Sequence, residues 1–173
     1  MATTINRTLQ PILVTGLQNA HAVESQALSL IDRQLDRLTR YPEIAERLRT
    51  HRLETENQIR RLDDILGSLG ERSSGLKDMA LSFMGNLAAM GNVMAADEVL
   101  KNQFINAAFE NFEVASYTSL VALAEAAELP TAAELLRATL QEEIAMAAWV
   151  QESLGPLTLK YVELRAGGAA AAR

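Results

Sequence analysis

Five glutamates, Glu24, Glu54, Glu110, Glu113 and Glu143, interrupt stretches of leucine, isoleucine, valine and alanine that recur at helical spacing. Both histidines keep the same company: His21 stands one turn before Glu24, and His51 one turn before Glu54. Gln58 follows Glu54 by one turn, and Tyr117 follows Glu113 by one turn. Carboxylates and imidazoles together are donors for iron or manganese, and zinc accepts them as well. Other chemistries have less support. The chain has no cysteine, which removes thiolate catalysis and disulfides. It has no glycine loop of the kind that cradles phosphate and no nucleotide motif. No nucleophile arrangement is evident, although paired carboxylates alone can do acid–base work.

The spacing brings the carboxylates to one level. Facing residues of an antiparallel helix hairpin lie equally far from its turn. Glu24 and Glu54 straddle Tyr41-Pro42 almost evenly, and Glu113 and Glu143 straddle Leu129-Pro130 in the same way. Each sits about 15 residues, or roughly 22 Å of helix, from its turn. Two such hairpins packed side by side bring four glutamates together halfway up the core, and Glu110, one turn from Glu113, adds a fifth. An unpaired charge costs several kcal/mol to bury, and neither lysine nor arginine stands in the middle of these stripes. Two divalent cations would neutralise four of the charges, as in di-iron and di-manganese carboxylate bundles. The expected ligands are Glu24, Glu54, Glu110, Glu113 and Glu143, with His21, His51, Gln58 and Tyr117 as additional ligands or as groups that hydrogen-bond to ligands. Iron is expected first, with manganese or zinc as alternatives. The competing expectation is a solvated polar layer. Glu54 and Glu110 are the most open to it, because Glu56 and Asn111 beside them blur the apolar face.

The elements that must position these residues are helices, since Ala, Leu, Glu and Arg dominate the chain and β-branched residues are sparse. The first is expected over 6–40, with the stripe Val14, Leu17, His21, Glu24, Leu28, Ile31, Leu35 and Leu38, ended by Tyr41-Pro42. The second, over 43–69, carries Ile44, Leu48, His51, Thr55, Gln58, Leu62 and Ile65, with Gly67 and Gly70 marking its end. A shorter, methionine-faced helix over 76–94 reads as a crossover lying on the bundle. The third long helix, over 97–128, carries Gln103, Asn106, Glu110, Glu113, Tyr117, Leu120 and Ala124. Thr131 and Glu134 form a capping box for a fourth that runs to residue 154, where Gly155-Pro156 stops it. A short last helix over 157–164 and a frayed tail over 167–173 follow. The sum is one all-α domain over 1–166: a ferritin-like four-helix bundle of two antiparallel helix hairpins joined by a helical crossover, with a short C-terminal helix.

Apolar residues make up 49% and charged residues 22% of the 173, a balance that suits a globular core. The net charge of −6 and the lack of a basic stripe argue against a nucleic-acid partner. No apolar run approaches the ~18 residues a membrane span needs. The opening MATTINRTLQ lacks the basic-then-apolar order of a signal peptide, so a cytoplasmic location is expected.

Four segments carry a family resemblance: AVESQAL in the first helix, HRLETENQIRRLDDILGSLGE in the second, FENFEVASYTSLVALAE in the third and AAELLRATLQEEIAMA in the fourth. Together they resemble the YciE/YciF family of bacterial ferritin-like proteins over roughly residues 8–160. The resemblance implies a homodimer associated with stress, with metal-site glutamates at Glu24, Glu54, Glu110 or Glu113, and Glu143. This chain departs from the family at Ala147, where an aspartate is frequent, and at Asn111, where a histidine is common. The Glu-x-x-His pattern is absent from the second and fourth helices, so ferroxidase activity does not follow. Two functional expectations result. One is a di-metal carboxylate protein that handles oxygen, peroxide or iron. The other is a dimeric helical scaffold for structure or interaction, whose site is vestigial.

Overall fold

The apolar stripes place their residues on one side of each helix, and burying four such sides against one another dictates the architecture. The computed structural model describes residues 2–73 and 98–168. Among them run four helices: α1 (Ala2–Leu35), α2 (Pro42–Ser68), α3 (Glu98–Ala126) and α4 (Pro130–Ala166). The expected crossover over 76–94 lies outside the described residues, as does most of the expected tail. No helix among the described residues is long and apolar enough to cross a membrane.

Side-chain pairs fix the topology. His21 meets Asp63 and Asp32 meets Arg52, so α1 and α2 run antiparallel. Glu24 meets Tyr117 and Gln34 meets Asn106, which makes α1 and α3 antiparallel neighbours. Gln58 meets Glu143 and Glu43 meets Lys160 across α2 and α4. Gln103 meets Ser153 and Glu125 meets Arg137 across α3 and α4. The diagonal pairs α1/α4 and α2/α3 are therefore parallel, as two hairpins joined by a crossover require.

Two apolar clusters fill the ends of the bundle. One holds Leu13, Leu17, Leu62, Leu66, Leu120 and Leu136. The other holds Ile31, Tyr41, Leu48, Met146, Val150 and Leu157. Each such side chain contributes roughly 1.5–3 kcal/mol by leaving water. Buried glutamate, histidine, threonine and glutamine occupy the level between them.

Local chemistry differs from expectation at three places. α1 ends at Leu35 rather than near residue 40. The chain then tightens through Arg37 N–H to Gln34 O and Tyr41 N–H to Leu38 O, dropping Leu38 and Tyr41 into the core. The capping box at Thr131 does not form. Leu129 is the N-cap without a side-chain bond, and Pro130 takes the first helical turn, where its missing N–H is harmless. Gly155-Pro156 does not stop α4, so the separate short C-terminal helix is instead the last stretch of one helix through Ala166. Contacts beyond the proline hold it: Leu157 is buried against the second cluster, and Lys160 bonds Glu43 at 3.2 Å while lying 5.6 Å from the centre of the Tyr41 ring.

Candidate metal centre

α2 brings His51, Thr55 and Gln58 to the bundle axis, α3 brings Glu110, Glu113 and Tyr117, α1 brings Glu24 and α4 brings Glu143; all are buried. His51, Glu110 and Glu143 each offer one ligand atom, and these atoms lie within 4.8 Å of one another. His51 Nε2 is 3.4 Å from Glu110 Oε2, while its Nδ1 is 2.9 Å from Glu54 Oε2. The Tyr117 hydroxyl donates to Glu24 Oε1. Gln58 Nε2 donates both to Glu143 Oε1 and, at 3.0 Å, to Glu142 Oε2.

Five buried oxygens at this level have no hydrogen-bond partner among the described residues: Thr55 Oγ1, Gln58 Oε1, Glu110 Oε2, Glu113 Oε1 and Glu143 Oε2. Ionised carboxylates only accept, so carboxylates facing one another satisfy nothing without a proton or a cation between them. Burial drives Glu24 up to about 8, although the Tyr117 hydrogen bond pulls the other way. Burial raises Glu113 well above the ordinary carboxylate range, reinforced by the charges of Glu24, Glu143 and Glu110. Burial, with the charges of Glu24 and Glu110, does the same to Glu143. Burial alone would lower His51, but the charge of Glu110 3.4 Å away and the bond to Glu54 outweigh it and leave the imidazole well above its usual value. A divalent cation fits this donor set: it replaces the protons, satisfies the stranded oxygens and accepts a nitrogen from His51.

The structure does not bring every expected residue to that group. His21 lies 3.3 Å from Asp63 at the α1–α2 edge. Glu54 is only half-buried, held by Arg47 at 2.9 Å and by His51. The His51 bond holds its carboxyl below the usual range. Gln58 and Tyr117 stand within the layer as hydrogen-bond donors to carboxylates. Sequence reasoning placed Thr55 on the stripe without giving it a role, and it missed Arg47, Arg61 and Glu142. Arg61 grips Glu142 with both terminal nitrogens, at 2.6 and 2.8 Å. The glutamate pair at 142–143 was the available signal for the last of these.

Comparison with known proteins agrees with this arrangement of helices. The family described as "Domain of unknown function (DUF892)" matches residues 8–163. Protein YciF of Escherichia coli K12 is 31% identical over 148 residues, covering 79% of this chain and 84% of that protein. A crystal structure of a Xanthomonas campestris pv. campestris protein superposes with a TM-score of 0.78 at 30% identity, covering 91% of this chain and 98% of that one. The structure of the E. coli stress protein YciF superposes with a TM-score of 0.73 at 22% identity, over 84% of this chain and 94% of that one.

Proposed function

Because the chain belongs to the DUF892 family and is similar in sequence to YciF, we propose that it is a ferritin-like di-metal carboxylate protein of the stress response that handles iron, or oxygen or peroxide at iron. One observation carries the reading: five unpartnered oxygens converge in a buried layer to which all four helices contribute. His51, Glu110 and Glu143 would hold one ion. Glu24 and Glu113, sharing Glu143, would hold a second, with Glu54 available from the edge of the layer. Iron suits this mixed nitrogen and oxygen set, with manganese or zinc as substitutes. Bound iron would supply one-electron redox chemistry toward oxygen or peroxide.

The protein's own residues prepare the site. Glu54 engages His51 Nδ1, so Nε2 is the nitrogen turned toward Glu110. Gln58 orients Glu143, and Tyr117 orients Glu24, each by a donated hydrogen bond. Half-buried Ala147, one turn beyond Glu143, offers no ligand. As part of this reading the chain acts as a homodimer, which sedimentation equilibrium checks.

The deciding experiment is metal analysis of protein purified without chelator, repeated after anaerobic iron loading. About two ions per chain are expected, as in other carboxylate-bridged bundles. Less than about one, with no gain on loading, leaves the scaffold reading in its place.

A further inference from the structure

The α2–α4 side of the buried layer differs from the α1–α3 side. Across α1 and α3, buried Val23, Ala27 and Phe109 close over it. α2 and α4 pack least closely of the four neighbouring pairs. At the level of the site, polar groups bridge them. Arg61 clamps Glu142 and reaches Thr139 Oγ1 at 3.1 Å. Gln58 Nε2 bonds Glu142 and Glu143 together. The Arg61 and Glu142 side chains are 23% and 25% exposed, whereas Glu143 is fully buried. One amide therefore joins a carboxylate that touches solvent to its sequence neighbour inside the core. Gln58 Oε1, on that same amide, and Glu143 Oε2 are buried without a partner among the described residues.

We propose that this seam is the entrance through which a divalent cation reaches the buried carboxylates, with Glu142 as the capturing ligand and Arg61 as the latch. The inference rests on the metal reading above. An arriving cation competes with Arg61 for the oxygens of Glu142, because both are positive charges seeking the same acceptor. Once Arg61 is displaced, Gln58 stands between the captured ion and Glu143, and its own free Oε1 faces the same interior. Charges at a rim set the rate of association more than the final affinity. The two members of this ion pair therefore act in opposite directions. Removing Glu142 takes away the capturing charge and leaves Arg61 to repel the ion. Removing Arg61 frees Glu142 and lifts the repulsion.

The test is Co²⁺ uptake by the full chain after dialysis against chelator, followed by stopped-flow absorbance at low ionic strength. Glu142→Gln should slow uptake by roughly threefold or more, and Arg61→Gln should speed it by a similar factor, with the difference shrinking in salt. Both variants should reach the Co²⁺ stoichiometry of the parent. Glu125→Gln, which removes a carboxylate paired with Arg137 near the α3–α4 turn, is the control and should leave the rate unchanged. Opposite signs exclude simple loosening of the bundle, which would move both variants the same way. Rates that shift together, or do not shift, overturn the entrance while the metal reading stands, as does an equal slowing in Glu125→Gln. A parent chain that takes up no Co²⁺ overturns both.

Discussion

Raising the pH should destabilise the metal-free bundle, by an amount that the buried carboxyls set. Glu24 keeps its proton to about 8 because burial penalises its charged form, against an ordinary value of 4.5. A carboxyl raised in this way binds its proton more tightly in the folded chain than in the unfolded one. Its contribution to stability is complete below the unfolded value and is lost as pH climbs through the folded one. At about 1.4 kcal/mol per pH unit, the interval corresponds to a loss on the order of 5 kcal/mol. Glu113 and Glu143 are raised in the same direction, mainly by burial, but they share protons with Glu24, so the three do not add independently. His51 works in the same sense: its value is also raised, so its contribution fades as pH rises through it. For a chain of this size, 5 kcal/mol corresponds to a fall in Tm of roughly 10–20 °C. Calorimetry of chelator-dialysed protein between about pH 4 and pH 9 measures it, spanning the ordinary carboxylate value and the raised one. Glu24→Gln is the informative variant. Its amide oxygen still accepts the Tyr117 hydrogen bond, yet it cannot ionise, so its Tm should fall less steeply. A parent Tm that is flat or rises over this range, or a variant with the parent's slope, refutes the reasoning. Saturating Mn²⁺ should stabilise more at the alkaline end, because the ion displaces the protons that hold the layer together in its absence.

Three further outcomes are expected. Tyr117→Phe removes the donor to Glu24 and should cost about 1–3 kcal/mol in denaturant unfolding. Because that bond lowers the Glu24 value, the pH-dependent loss should also extend further into alkali. Gly16→Ala would place a Cβ 2.7 Å from Leu120 Cδ2, but that side-chain tip lines a cavity together with Gly16 and has room to move, so the change should cost only about 1 kcal/mol, the low end of overpacking, read from thermal unfolding. Pro156→Ala restores an N–H to the interior of α4 and should raise stability by up to about 3 kcal/mol, read from the same measurement.

The fold was legible because α2 and α3 end at the glycine and proline signals read for them and the large apolar residues keep period. The finer register was not, because small residues carry part of it. The buried line of α1 is Leu13, Leu17, Ala20, Glu24, Ala27 and Ile31. A stripe drawn through larger neighbours instead recruited Val14, His21 and Leu28, none of which is buried. That one-residue drift is why His21 faces Asp63 rather than the layer. In α4 the same effect put Ala147 on the expected line, whereas Met146 is the buried residue. In α2 the residue one turn after His51 on the axis is Thr55, which leaves Glu54 on the rim. Glu24, Glu110, Glu113 and Glu143 were read correctly as buried because each falls on the line common to both readings. The continuity of α4 through Pro156 had no local signal, since it depends on contacts of Leu157 and Lys160 with a helix far away in sequence.

α2 supplies the outer support of the site twice. Arg47, Glu54 and His51 make one path from surface to core; Arg61, Glu142 and Gln58 make another, with only Glu142 drawn from a different helix. Each path begins at an arginine and meets a half-exposed carboxylate before it reaches the buried layer. The arginines therefore spend their charge on Glu54 and Glu142. Neither places a hydrogen bond on Glu110, Glu113 or Glu143, whose inner oxygens remain unpartnered. Deep in the layer the available compensation is His51 for one carboxylate, and the amide and phenol of Gln58 and Tyr117 for single oxygens of two more. Among the described residues, donors thus run out before the acceptors do. On the metal reading proposed above, solvent supplies what satisfies the remainder: protons when the pH is low, and cations once protons become scarce.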